Sequence, residues 1–450
     1  MLLCWRRFLR SGHRLLIEAD ILLRGCTILP MNNKPQIENG VLAVKDGRIC
    51  FIGKGARELR IKAEIEMDAA GMAAIPGLIN CHTHVPMTLF RGIADDQPLE
   101  SWLKKTIWPL EAKLQEQDVY AGALLGCFEM IKSGTTCFAD MYFHEHRVAE
   151  AVEQSGLRAM LAEGIIGSND RTQATTHLEG CLKFAADSRG QADGRVGTML
   201  GPHSAYSCSP ELLADIARKA CELEVGIHIH LAESRRLFDG PSGHTCRSEV
   251  ELLDRVGFLG KNVLAAHCID LSARDMQVLA ERNVNVAYVP VSNMKLGLGA
   301  AKIKDLTDLH VNVGLGTDGP ASNNSLDMFE TMKVGALLQK LVYGNPAVMP
   351  AREVLEMATM GGARALSLSR DVGSLEVGKK ADIVLLDLAK AHLRPFHDVY
   401  SSIVYCARGS DVDTVIVDGR ILMQKGQVKT LDEAKVMRTA EEASSDLLSR

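Results

Sequence analysis

Two histidines one residue apart, His82 and His84, follow the apolar run Ala73-Ala74-Ile75-Pro76-Gly77-Leu78-Ile79. Such a run reads as a buried strand. Positions i and i+2 of an extended segment point the same way, so both imidazoles can converge on one cation. Imidazole is the commonest protein ligand for divalent transition metals. Three more chemistry-bearing segments follow in order: Ile227-His228-Ile229-His230-Leu231-Ala232-Glu233, Ala265-Ala266-His267-Cys268, and Gly314-Leu315-Gly316-Thr317-Asp318-Gly319. Each opens or closes a short apolar run, so one end of a barrel of parallel strands would collect them all. His230, nearer the end of its strand, is the third ligand candidate. Asp318 is the fourth, and a general base as well. Three imidazoles and a carboxylate, with a position left for water, make an open catalytic site for zinc. Iron(II) or manganese(II) suits the same donors.

The neighbouring residues divide between chemistry and packing. His228 lies deeper in its strand and reads as a hydrogen-bonded core histidine. Glu233, three residues past His230, can shuttle protons, with a helix cap as the plainer role. His267 ends an apolar strand and can orient a water, or simply sit satisfied in the core. His144-Glu145-His146 reads as the start of a solvated loop or as part of a cavity rim. Gly314-x-Gly316-x-x-Gly319 has the letters of a dinucleotide fingerprint, but Pro320 and a polar stretch follow, and no acidic residue stands about twenty positions on. The glycines instead let a strand end turn sharply. The zinc deaminases that use His-x-Glu with Pro-Cys-x-x-Cys are excluded, because no Cys-x-x-Cys occurs.

These residues need a scaffold, and the chain supplies two patterns for one. Val41 to Ile52, turning at Asp46-Gly47, and Val415 to Met423, turning at Asp418-Gly419, both carry a type I′ hairpin signal. Ala381 to Asp387 adds a strand. Neither end can bury a sheet face alone, so the two ends are expected to pair. Between them, short apolar runs (196–200, 226–230, 263–266, 284–289) alternate with helix-like stretches such as 118–133 and 210–224. This alternation fits the roughly 250-residue span of a (β/α)8 barrel. The expected architecture is α/β: a (β/α)8 barrel over 75–373 with a small β-sandwich built from both termini, 17–74 and 374–430. An N-terminal tail over 1–16 and a polar C-terminal helix over 431–450 flank them.

A chain of 450 residues, 46% hydrophobic and 24% charged, fits a soluble protein of one large and one smaller domain. Its net charge of −5 argues against binding a nucleic-acid polymer but leaves a small nucleotide-like ligand open. Twelve scattered cysteines point to free thiols in a reducing cytoplasm. No apolar stretch approaches the roughly 18 residues of a membrane span. The basic N-terminus lacks an uninterrupted apolar core and a cleavage site. Long loops such as Ser168 to Gln191 offer surface for a homo-oligomer.

Taken together, these motifs resemble the amidohydrolase superfamily, in the branch of the 5-methylthioadenosine/S-adenosylhomocysteine deaminases, with triazine hydrolases and guanine deaminase as relatives. The resemblance rests on Pro76 to His84 with Pro86 to Gly92, His228 to Glu233, Ser292-Asn293-Met294-Lys295-Leu296-Gly297, and Gly316 to Asn324. It implies one divalent metal ion held by His82, His84, His230 and Asp318. It also implies that Glu111, in Trp108-Pro109-Leu110-Glu111, accepts hydrogen bonds from ribose hydroxyls and that His203 contacts the purine. Glu233 would address the ring nitrogen beside the reacting carbon. The implied reaction is hydrolytic deamination at C6 of an adenine nucleoside, foremost 5-methylthioadenosine to S-methyl-5-thioinosine and ammonia. S-adenosylhomocysteine to S-inosylhomocysteine comes second, and a free base or triazine is the alternative. The chain departs from the pattern at Glu163, where some members carry an arginine for the homocysteine carboxylate; Arg171 in the following loop is a candidate substitute.

Overall fold

The computed structural model describes residues 15–55, 59–93, 95–167, 171–238 and 246–450. The expected tail over 1–16 lies almost wholly outside them.

Five strands lead in: β1 (Leu15–Ile28), β2 (Ile37–Lys45), β3 (Arg48–Lys54), β4 (Leu59–Asp68) and β5 (Met72–Pro76). The β2–β3 hairpin closes on Asp46 and Gly47, both at positive φ (49° and 72°), as a type I′ turn requires. Eight strands follow: β6 (Leu78–Thr83), β7 (Thr135–Tyr142), β8 (Arg158–Ile165), β9 (Val196–Pro202), β10 (Gly226–Leu231), β11 (Val263–His267), β12 (Asn285–Tyr288) and β13 (Val313–Leu315). Each pairs in parallel with the next, in chain order from β6 to β13. Helices fill the connections, which puts apolar cover on the outer face and explains why these strands read as continuous hydrophobic runs. The chain then returns through β14 (Ile383–Asp387), β15 (Val412–Val417), β16 (Arg420–Gln424) and β17 (Gln427–Val428).

β14 lies antiparallel to β5, with Val384 opposite Ile75, so the two termini do share one sheet. That mixed, nine-stranded sheet encloses Leu23, Ile28, Leu42, Ile383, Leu385 and Ile416 in a core of its own. The fold is therefore the expected parallel barrel beside a small sandwich-like β unit. Arg158 joins the two: its Nε and Nη2 reach the Asp382 carboxylate at 3.1 and 3.2 Å, with both side chains buried.

The first and last barrel strands approach unusually closely. A side chain on Gly316 would place its Cβ 2.9 Å from His82 N, and one on Gly314 would meet Cys81 Sγ at 2.4 Å. The Gly-x-Gly pair is thus a close-approach device for barrel closure, completed where Asp318 N donates to His82 O at 2.9 Å.

Two loop readings need correction. Arg171–Ser188 is a helix, not an irregular loop; its buried Ala174, Cys181, Phe184 and Ala185 belong to the barrel core. Its Thr- and Gly-containing sequence gives weak periodicity, and burial supplies what propensity does not. Glu145 is likewise no solvated loop residue. It is fully buried at the first position of the helix Glu145–Ser155, while His146 is exposed beside Glu116. Among the described residues no helix is long and apolar enough to cross a membrane.

Candidate active site

The C-terminal ends of the barrel strands open into one cleft of about 700 Å3, part of it open to solvent. His84, His230, His267, Asp318, Glu233, His203 and Glu111 all line it. His82 lies just beneath, fully buried. Three of these strand ends leave the barrel through left-handed backbone: Ala232 (φ 49°), His267 (φ 71°) and Asp318 (φ 65°). Non-glycine residues adopt that region rarely, and such strain clusters at functional sites.

The imidazoles are arranged with their Nε2 atoms inward. His84 Nδ1 donates to Met141 O at 2.6 Å, and His230 Nδ1 donates to His203 O at 2.7 Å. A carbonyl can only accept, so in both neutral rings Nε2 carries the lone pair. These two Nε2 atoms face each other at 3.3 Å. His82 Nδ1 pairs with His228 Nε2 at 2.7 Å, which leaves His82 Nε2 buried with no hydrogen-bond partner. Asp318 Oδ1 completes the group, 3.4 Å from His82 Nε2 and 3.3 Å from His84 Nε2. Ligand atoms of His82, His84 and His230, and of His82, His267 and Asp318, lie within 4.8 Å of one another.

This donor set fits a divalent cation. Converging lone pairs and an orphaned buried nitrogen would repel one another without positive charge among them. The electrostatics point the same way. Burial holds the His82 ring down at about 4. At His84 burial also opposes the charge, but the Asp318 carboxylate outweighs it and lifts the ring to about 9, so without a cation Nε2 would take a proton, and a bound cation would stand in that proton's place. Burial alone would raise Asp318; the His82 and His84 rings beside it, at 3.4 and 3.3 Å, instead hold it well below the usual carboxylate range. Ser292 Oγ donates to Asp318 Oδ2 at 2.6 Å and Gly319 N to Oδ1 at 2.8 Å, so the carboxylate is fixed and charged.

Around this group stand the proton-handling candidates. Glu233 is buried and its carboxyl is raised, chiefly by desolvation, with the Asp318 charge adding to it against the pull of His267. Its Oε1 is 3.8 Å from His267 Nε2. Glu249, from a helix 16 positions on, accepts from Ala232 N at 3.2 Å and so braces the left-handed residue that aims Glu233. His267 Nδ1 donates to Asn293 Oδ1 at 3.0 Å, which turns its Nε2 to the cleft. Burial and the surrounding imidazoles hold His203 down at about 3, so it meets a ligand as a neutral ring. Glu111, which lines the same cleft, is raised by desolvation to about 7, with the Tyr142 phenol opposing. Spacing alone did not reveal Ser292 or Asn293 as partners, although the segment that carries them was singled out. Tyr142, Tyr206 and Glu249 carried no signal at all, being ordinary strand, turn and helix residues until the fold brings them in.

Glu163 does not face the cleft. Its Oε1 and Oε2 accept from His144 N (2.9 Å) and Glu145 N (2.8 Å), capping a helix N-terminus. The Arg171 side chain lies outside the described residues; its backbone opens the helix Arg171–Ser188.

The amidohydrolase family pattern matches residues 73–422, which spans the barrel and part of both flanking β segments. The chain belongs to the amidohydrolase family. Curated relatives agree over nearly full length. A 5-methylthioadenosine/S-adenosylhomocysteine deaminase of Moorella thermoacetica is 47% identical over 93% of this chain and 97% of that one. A 5'-deoxyadenosine deaminase of Methanosarcina acetivorans is 46% identical over 96% of this chain and 99% of that one. Among solved structures, an adenosine deaminase from Xanthomonas campestris with bound zinc superposes with a TM-score of 0.92 at 31% identity, covering 97% and 100% of the two chains. As a member of this family with an imidazole–carboxylate group that fits a cation, the amidohydrolase is a divalent-metal enzyme.

Proposed function

We propose that this amidohydrolase deaminates adenine nucleosides at C6, with 5-methylthioadenosine or another nucleoside bearing an uncharged 5' substituent as its substrate. One observation carries the reading: a single cleft joins the imidazole–carboxylate group, the buried Glu233 and Glu111. A free base needs the first two; only a ribose gives Glu111 hydroxyls to bind. The deaminase relatives support the same class of reaction.

His82, His84, His230 and Asp318 would hold one zinc ion, which when bound supplies Lewis acidity and makes a hydroxide nucleophile accessible near neutral pH. Asp318, held charged, accepts the proton of the attacking water through its carboxylate. Glu233, whose carboxyl burial shifts towards the acid form, donates a proton to N1 as the C6–N1 bond loses its double-bond character. His267, locked by Asn293, orients the water and the developing alkoxide. Collapse of the tetrahedral centre breaks the C6–N6 bond and forms the C6 carbonyl, and the proton of the C6 hydroxyl passes to the Glu233 carboxylate and restores the acid. Asp318 returns its proton to the departing amine, so water and amidine become carbonyl and ammonia. His203 meets the purine as a neutral ring, and Glu111 binds the ribose hydroxyls.

Methylthioadenosine ranks ahead of S-adenosylhomocysteine for a local reason. Among the described residues lining the cleft, none is lysine or arginine, while two are glutamates. Glu163 is occupied as a helix cap. Met87, Leu99, Trp102 and Leu103 suit a methylthio group or a bare 5' carbon better than an amino-acid carboxylate. Steady-state ammonia release from the two nucleosides tests this: kcat/KM should favour methylthioadenosine by about tenfold or more, the scale of one unpaired charge. Equal values would remove the ranking.

A further inference from the structure

Glu111 sits at the end of a helical wall of the cleft that does not belong to the barrel. The wall runs through Trp102–Ile107, a stretch of π-helix, into Trp108–Glu111. Pro109 explains the irregularity: it has no N–H, and its ring excludes the carbonyl four residues back, so the ladder widens and Trp108 N reaches Leu103 O instead. A widened, proline-interrupted helix of so few turns is poorly fixed by its own hydrogen bonds. Yet it must hold Glu111 to a fraction of an ångström if that carboxyl is to bind two hydroxyls.

What fixes it comes from the far end of the chain. The helix Glu433–Ser449 packs Ala440 and Leu447 into the same apolar cluster as Leu99, Trp102, Leu103 and Ile107. Just beyond it, Arg450 Nη1 donates to Lys113 O at 3.0 Å. The same guanidinium grips the buried Asp118 with two bonds, at 2.6 and 2.9 Å. Asp118 in turn accepts from Gln115 N at 2.8 Å, at the N-terminus of the helix Glu116–Lys132. The turn that follows Glu111 is closed by Leu114 N donating to Glu111 O at 3.0 Å. Arg450 therefore ties the residue two positions after Glu111 to a rigid barrel helix, through a fork whose planar geometry resists rotation.

We infer that Arg450 is a positioning residue for Glu111, so that the helix Glu433–Ser449 and its flanking arginine are part of the ribose-recognising apparatus. The inference rests on the proposed nucleoside function, since it assigns Glu111 a ribose to bind. Arg450 touches no substrate and no reacting group; it acts through the Lys113 carbonyl and Asp118.

The test is steady-state ammonia release by the zinc-loaded full-length enzyme, using 5-methylthioadenosine and its 2',3'-dideoxy analogue. Arg450→Ala should raise KM for the hydroxyl-bearing nucleoside by about five- to tenfold, the scale of one well-made hydrogen bond. It should leave kcat within about twofold and leave the dideoxy compound's KM unchanged. Arg450→Lys should recover little, because an ammonium cannot reproduce the fork. Asp118→Asn, which removes the charge but keeps the buried shape, should repeat the split and covers the case in which the alanine variant folds poorly. An equal KM rise on both nucleosides, a fall in kcat alone, or wild-type constants in all three variants would overturn the inference. Turnover of free adenine or a triazine by the wild type, without turnover of either nucleoside, would overturn the nucleoside reading and this inference with it.

Discussion

His84 and His230 face each other Nε2 to Nε2 at 3.3 Å, and each has its other ring nitrogen tied to a backbone carbonyl. The carbonyls fix the tautomer, and the tautomer aims two lone pairs at one point. Positive charge at that point relieves the repulsion. His84→Ala or His230→Ala should therefore leave purified protein with well under one zinc per chain, measured by inductively coupled plasma mass spectrometry. His228→Leu, which strips the partner from His82 Nδ1, should keep the ligands but weaken zinc affinity about 10–100-fold, the usual effect of losing a hydrogen bond behind a ligand. Full zinc binding by His84→Ala would refute the placement of the ion.

Burial raises the Glu233 carboxyl above its ordinary range, which favours its acid form. Glu233→Gln should cut kcat by about 100- to 10,000-fold, the range of general acid catalysis, with zinc content unchanged. The wild-type rate should fall as pH rises through the raised Glu233 value, because the donor is lost on ionisation. The residual rate of the Gln variant should lack that limb. A near-normal rate for the variant would remove Glu233 from the chemistry.

Ser292 shares a 2.6 Å hydrogen bond with Asp318 Oδ2 and is itself fully buried. Ser292→Ala frees one carboxylate oxygen without opening a large cavity. Turnover should fall about tenfold, the scale of a hydrogen bond to a charged group. Thermal midpoint and zinc content should change little. Wild-type kcat in this variant would show that Asp318 needs no such restraint.

Glu249 gives a stability signature with a definite sign. Burial raises its carboxyl from an ordinary 4.5 to about 8 in the folded protein. Between those values the native state holds a proton that the unfolded chain has released. The slope of stability with pH is therefore negative there, and the contribution present at low pH is lost as pH rises towards 8. Glu249→Gln keeps the acceptor for Ala232 N and cannot ionise, so it should lose less stability than the wild type between pH 5 and pH 9. Urea unfolding at the two pH values measures the difference. Parallel losses in both proteins would show that Glu249 is not protonated in the native state.

Much of the fold and the central group could be read from residue order because strand geometry is so restrictive. His82, His84 and His230 fall near strand ends at alternate positions, and a parallel barrel gathers strand ends on one face. The Asp46-Gly47 and Asp418-Gly419 turns were equally legible, since few residues tolerate two successive positive φ angles. The second ring of interactions was not legible. Ser292 reaches Asp318 across 26 positions, Asn293 reaches His267 across 26, and Arg450 reaches Asp118 across 332. No local pattern encodes such partnerships; they exist only after the barrel has closed. Glu163 shows the opposite hazard. The resemblance set it at the position where some members carry an arginine for the homocysteine carboxylate, whereas the backbone N–H groups of His144 and Glu145 hold it in a structural cap.

The most direct measurement is ammonia release by the zinc-loaded protein from 5-methylthioadenosine, S-adenosylhomocysteine, adenosine, guanine and a triazine, side by side. Fast release from 5-methylthioadenosine, slower release from the homocysteine compound and none from the free base or triazine is the expected pattern. Release from guanine or the triazine alone would leave the metal group standing and contradict the assignment of Glu111 to a ribose.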